Sequence, residues 1–229
     1  MFRVDFHSHI LPGVDDGAKD LQESTAMVDM LCAQGIESIV ATPHFRAHRD
    51  TVRDFLDRRG SAAEMLKNNI HGKADIYLGA EVALEREISE IEDLPELSYE
   101  GTSYILIEFP YRPFSRWMIP EIECILYERH LTPVLAHIDR YAEFFSAADF
   151  NEIFMLPGVI FQVNNEAFQN RKSRGIVKTL IKNDLPFVLG SDCHNTENRK
   201  PNFDTARTGL RRYDMQPEAL NFQHNFLKR

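Results

Sequence analysis

The strongest constraint on this chain is a repeating arrangement: apolar runs rich in β-branched residues, most of them ending in a histidine or an acid. The runs are FRVDF (2–6), IESIVA (36–41), ADIYLGA (74–80), SYILIEF (103–109), TPVLAH (132–137), VIFQV (159–163) and PFVLG (186–190). Segments of helical period separate most of them. Asp20 is placed to cap the first helix, with Glu23 three residues on and Gly35 to end it. Further helices are expected over 50–69, 116–130, 149–156 and 174–183, with one or two more after Pro201. Seven strands alternating with helices imply an α/β fold of parallel βαβ units with right-handed crossovers. An open doubly wound sheet and a closed barrel both satisfy that pattern. Neither GxGxxG nor GxxxxGK(S/T) follows any strand, so the open, nucleotide-binding sheet lacks its usual signature. No linker, repeat or low-complexity tract interrupts 1–229, a length that suits one domain.

The polar residues at the strand ends belong to one rim. His7 and His9 close the first run, with Asp15 and Asp16 in the loop after it; His44, Glu81 and Glu108 follow the next three. His137, Asp139 and Arg140 follow the fifth, and Asp192 and His194 the seventh; the sixth, ending QVNN, offers amides alone. In a β/α barrel the loops after the strands converge to build the site. A lone histidine beside an apolar run is usually structural, but this many at matching positions form a set. Carboxylates crowded into one pocket repel, and some would have to take up protons. Divalent cations remove that difficulty, with imidazoles completing their shells as neutral ligands. The HxH spacing sends both rings to one side of an extended chain, so one ion can take both. Mixed histidine and carboxylate ligands suit Mn, Fe or Zn, and their number fits two or three ions. Three divalent ions would slightly outweigh four carboxylates and a hydroxide, a balance that welcomes a phosphate dianion. Arg140 and Arg199 stand beside these residues and could fork onto phosphate oxygens; each taken alone could equally be a surface arginine.

A formal net charge of −9 disfavours broad contact with nucleic acid. No run reaches the roughly 20 apolar residues of a membrane helix. His7, Ser8 and His9 interrupt the opening MFRVDFHSHI, so it lacks a signal-peptide core. Cys32, Cys124 and Cys193 form no CxxC pair, which points to a reducing cytoplasm. The basic stretch RAHRDTVRDFLDRR (46–59) reads as a solvated helix face with i,i+4 pairs, the alternative being a patch for an anionic substrate. His48, His71, His130 and His224 lie away from strand ends and read as ordinary residues. Tyr111 and Tyr141 could border the entrance and meet a substrate ring, although packing is the plainer role.

Taken together, HSHILPGVDDGAKD, ATPHF, GAE, IEFP, AHIDRY and SDCH resemble the PHP (polymerase and histidinol phosphatase) superfamily, and within it the capsular-polysaccharide-type bacterial protein-tyrosine phosphatases. The likeness runs in order from residue 3 to about 200. It implies a distorted (β/α)7 barrel holding three divalent metals, usually manganese. By position, one metal would take His7, His9, Glu81 and Asp192; a second Glu81, Glu108 and His137; the third Asp16, His44 and His194. Spacing does not choose between Asp15 and Asp16; the family pattern favours the second acid of DDG. Arg140 and Arg199 match the phosphate-gripping arginines, and Asp139 stands where relatives often carry Glu. The implied substrate is phosphotyrosine on the tail of a bacterial tyrosine autokinase controlling polysaccharide export. Metal-bound hydroxide would attack phosphorus in line, and a phenolate of pKa about 10 leaves without needing a protonated donor.

Three rivals stand beside this reading. Cys193 to Arg199 has the Cys-x5-Arg spacing of thiol phosphatases, but HNTEN has no glycine for a phosphate loop, and Asp192 opposes a low-pKa thiolate. A histidinol-phosphate phosphatase would keep the metals and change the substrate. A metal-stabilised, non-catalytic module docking on a kinase would use closed metal sites.

Overall fold

A computed structural model describes residues 3–212. All seven expected strands form, as β1 (Val4–Ser8), β2 (Ser38–Ala41), β4 (Asp75–Leu78), β6 (Tyr104–Glu108), β7 (Thr132–Leu135), β8 (Ile160–Asn164) and β9 (Phe187–Gly190). The second and third expected runs each break and resume, adding β3 (His44–Phe45) and β5 (Glu81–Ala83). Pro43 has no N–H for a ladder, which accounts for the first break. At the second, a Cβ on Gly79 would meet Tyr99 Cδ1 at 2.7 Å, so the chain there admits only glycine. All pairing is parallel, in the orders β1-β2-β4 and β3-β5-β6-β7-β8-β9. Because β2 runs on into β3 and β4 into β5, the two sheets are successive parts of one wall. The remaining seam closes between β1 and the segment after β9, where Asp192 N donates to His7 O (2.8 Å) and His9 N to Cys193 O (3.0 Å). The result is a distorted (β/α)7 barrel.

Helices α1 (Leu21–Ala33), α2 (Val52–Ile70), α3 (Met118–Tyr127), α4 (Ala147–Phe154), α5 (Arg171–Lys182) and α6 (Phe203–Arg211) surround it. Asp20 caps α1 through Glu23 N, and Gly35 follows in the left-handed region at φ 80°, as the spacing predicts. Thr51 caps α2, and Ser146 with Asp149 forms a capping box on α4. No α-helix joins β5 to β6; single 3-10 turns at Ile88–Glu90 and Leu94–Leu97 fill that connection. Any second helix after Pro201, the start of the first run at Phe2, and His224 lie outside the described residues.

Two apolar layers hold the barrel. The larger lies between strands and helices. The smaller gathers Val4, Phe6, Val40, Leu106, Val134, Ile160 and Val188 from six strands, which only the inside of the ring can bring together. Tyr99 plugs it from below and donates its hydroxyl to Phe6 O at 2.9 Å. The basic stretch is only partly a solvated face. Arg58 pairs with Asp50, but Arg59 is buried and donates to Gly79 O at 2.7 Å, bracing the second strand break.

Candidate metal centre

A register slip in β1 between Asp5 and Ser8 places the first site residue. Phe6 packs inside the ring, and His7, which a regular strand would turn outward, reaches Glu81 across it (3.2 Å). Close packing admits it: a Cβ on Gly190 would stand 2.5 Å from His7 Cβ. The glycine of DDG is equally constrained, since a Cβ on Gly17 would lie 2.2 Å from His9 O. His137 and Asp192 sit at φ 27° and 50°, left-handed conformations that non-glycine residues hold only when their surroundings enforce them.

The nine expected ligand-type residues lie in one cluster. His7 Nε2 and His9 Nε2 are 3.1 Å apart and each 3.2 Å from Glu81 Oε2, with Asp192 Oδ1 at 3.7 and 3.5 Å. His137 Nε2 stands 2.8 Å from Glu81 Oε1 and 3.6 Å from Glu108 Oε1. Asp16 Oδ1 lies 3.3 Å from His44 Nε2 and 3.6 Å from His194 Nε2. His44 also puts Nδ1 3.0 Å from Glu81 Oε2, so it links the outer group to the inner ones. His9 joins the outer group too: with Asp16, His44 and His194 it offers ligand atoms all within 4.8 Å of one another. Asp15 faces inward instead and accepts from His9 Nδ1 (2.6 Å), Gly17 N and His44 N.

Divalent ions fit this arrangement. His7 Nδ1 donates to Gln162 Oε1 (2.9 Å) and His9 Nδ1 to Asp15, which leaves both Nε2 lone pairs aimed at one point beside Glu81. Glu81 Oε2 and His194 Nε2 are buried and make no hydrogen bond. An oxygen and three ring nitrogens so placed ask for a cation. Without one, protons take its place. Burial alone would lower the pKa of His9, but Asp15 and Glu81 hold it up to about 9. His137 is likewise held up to about 9 against burial by Glu108 and Glu81. Burial would raise the Glu81 carboxyl, yet His7, His137 and His44 keep it well below the usual range.

Both arginines converge on one carboxylate. Arg140 Nη2 lies 2.6 Å from Asp192 Oδ2, and Arg199 Nη2 lies 3.0 Å from Asp192 Oδ1. Arg140 Nη1 also donates to the hydroxyl of Tyr111 (3.2 Å), whose ring lies over His137 with centroids 5.8 Å apart. Packing alone therefore does not describe Tyr111, although it does describe Tyr141, which is buried and donates to Phe109 O.

The strand that offered only amides proves to be the scaffold. Gln162 Oε1 accepts from His7 Nδ1 and from His137 N (2.6 Å), Gln162 Nε2 donates to Asn164 Oδ1, and Asn164 Nδ2 donates to Asp192 Oδ2. Asp5, on the far side of His7, accepts from Ser191 N and Oγ and ties β1 to the β9 end. The sequence signal for Gln162 and Asn164 was present: two amides on the inward parity of a strand that begins with Ile160. Cys193 is fully buried, and burial with Asp5 beside it pushes its thiol pKa up, which removes the thiolate reading. His48 pairs with Glu85, and His71 ends α2 in the left-handed conformation, both away from the cluster.

The model of the family described as capsular polysaccharide synthesis, CpsB/CapC, matches residues 3–223. Tyrosine-protein phosphatase CpsB of Streptococcus pneumoniae is 31% identical over 228 residues, spanning 89% of this chain and 87% of its own. The crystal structures of YwqE from Bacillus subtilis and CpsB from Streptococcus pneumoniae, described as unique metal-dependent tyrosine phosphatases, superpose with a TM-score of 0.76 at 25% identity, covering 91% of this chain and 86% of theirs. A histidinol phosphate phosphatase from Lactococcus lactis is similar in fold alone, with a TM-score of 0.60 at 15% identity over 93% of this chain and 94% of its own. The chain belongs to the CpsB/CapC family of capsular polysaccharide synthesis.

Proposed function

We propose that the barrel mouth is the active site of a metal-dependent protein-tyrosine phosphatase, acting on phosphotyrosine in the tail of a bacterial tyrosine autokinase. The observation that carries this reading is the gathering of nine ligand-type side chains and two guanidiniums in one barrel mouth, in groups that could each hold an ion. Three divalent ions, manganese first, suit that donor set: one at His7, His9, Glu81 and Asp192, one at Glu81, Glu108 and His137, one at Asp16, His44 and His194. Bound there, such ions supply Lewis acidity toward phosphoryl oxygens and activate water. No helix among the described residues is long and apolar enough to cross a membrane, and the three cysteines are unpaired, which agrees with a cytoplasmic enzyme.

The chain's own residues do the rest. Arg140 and Arg199 turn their N–H groups to the non-bridging oxygens of the phosphate; both are about a third exposed at the mouth. Asp15 and Gln162 hold His9 and His7 with Nε2 facing inward. Asp139 does not serve as a proton donor: it is buried beneath the site, its pKa raised to about 6 by burial, and it accepts from Asn164 N. None is needed, because a phenolate is a far better leaving group than an alkoxide.

The test is phosphate release from a phosphotyrosyl peptide and from histidinol phosphate, before and after chelation, with ions restored singly. Turnover of the peptide should vanish with the ions and return most fully with manganese. Full turnover in the chelated protein, or a preference for histidinol phosphate, would refute the reading.

A further inference from the structure

We propose that Tyr111 and Phe144 form a shelf at the mouth that receives the substrate's aromatic ring and so selects aryl over alkyl phosphomonoesters. The inference rests on the phosphatase reading above and adds the residues that choose its substrate.

Five large apolar side chains are exposed among the described residues, and two of them, Tyr111 (47%) and Phe144 (38%), pack against each other. They are neighbours, with centroids 5.9 Å apart at an interplanar angle of 64°. They also stand at the mouth. Tyr111 lies nearly parallel to the ring of His137, and its hydroxyl accepts from the same guanidinium that would grip the phosphate. A phosphate held by Arg140 therefore stands beside Tyr111, within reach of its ring for an ester group.

Core packing accounts for Tyr111 only in part and for Phe144 not at all. Beneath them Tyr141 is buried, stacks on Tyr111 with centroids 5.5 Å apart at 20°, and on Phe145 at 4.9 Å. That layer is closed without Phe144. The turn of Ile138–Glu143 sets the position of Phe144, whose N–H donates to Tyr141 O. An exposed ring with a second ring at its edge offers an incoming phenyl both a face and an edge, the geometries in which aromatic pairs attract. An alkyl ester finds neither.

The experiment compares wild type, F144A and Y111L on phosphotyrosine and phosphoserine, each loaded with manganese. Inhibition by phenylphosphonate and methylphosphonate separates ring binding from leaving-group chemistry. F144A should lower the ratio of aryl to alkyl kcat/KM by about three- to tenfold, mainly through KM, and weaken phenylphosphonate alone by a similar factor. F144Y should restore both. Y111L should lower the ratio and also slow both substrates, because it strips Arg140 of a partner. Melting curves check that each variant is folded. An unchanged ratio in both variants, with wild type preferring phosphotyrosine, refutes the shelf alone. A wild type that hydrolyses neither ester refutes the phosphatase reading and the shelf together.

Discussion

At the scale of single residues, this site depends on uncharged groups as much as on ligands. Gln162 is the clearest case, because one carbonyl oxygen fixes both the His7 ring and the His137 backbone. Gln162→Leu should weaken manganese binding by about 10–100-fold, the usual cost of losing an outer-shell partner, read by titrating ion-free protein. Unchanged affinity would mean that the imidazoles orient themselves. The clustered residues proposed as ligands were legible in the sequence, since histidines and acids at strand ends stand out against apolar runs. Gln162 and Asn164 share the inward parity of Ile160, but that signal is weak, because an amide is common on strands of every kind. The sequence leaves Tyr111 between two roles for a related reason: whether an aromatic packs or borders a mouth depends on a loop whose path periodicity does not describe.

At the scale of elements, seven strands and most helices were legible from composition and capping, and the breaks in the wall were not. β3 and β5 have two and three residues, too short for any periodic signal. They exist because Pro43 and Gly79 interrupt longer runs, and because Arg59 crosses from α2 to hold the carbonyl of Gly79. The sequence alone made Arg59 one cation among many; burial makes it a bracket. Arg59→Met should destabilise the fold by about 1–3 kcal/mol in urea unfolding, because a buried carbonyl loses its charged donor. A cost below about 0.5 kcal/mol would show that the bend between β4 and β5 stands without it. The connection between β5 and β6 also escaped periodicity, since its two 3-10 turns are single turns, held in the core by Ile88 in the first and by Leu94 and Leu97 in the second.

At the scale of the whole molecule, the barrel stores its charges where they stabilise the fold only in company. In ion-free protein, His9 and His137 titrate near 9 against an ordinary value of 6.5. A group raised on folding lends stability that is complete below its unfolded pKa and is lost as pH climbs through its folded pKa. The melting temperature of chelated protein should therefore fall between about pH 7 and 9, by roughly 2–4 °C for each kcal/mol lost. Manganese-loaded protein should show no such fall in that window, because neutral imidazoles are then what the ions require. Parallel slopes for the two forms would show that protons and metals do not compete for this cluster.

The seam between β1 and the β9 end has a consequence for biosynthesis. Its two sides, residues 5–9 and 191–193, are joined by the bonds from Asp192 N to His7 O and from His9 N to Cys193 O. A ribosome making this polypeptide releases His7 and His9 first, and roughly 180 residues must follow before Asp192 and His194 arrive. Until then an early imidazole pair is an open claw with feeble grip. On the proposed ligand sets metallation is a finishing step, and a nascent chain still short of Asp192 should hydrolyse nothing.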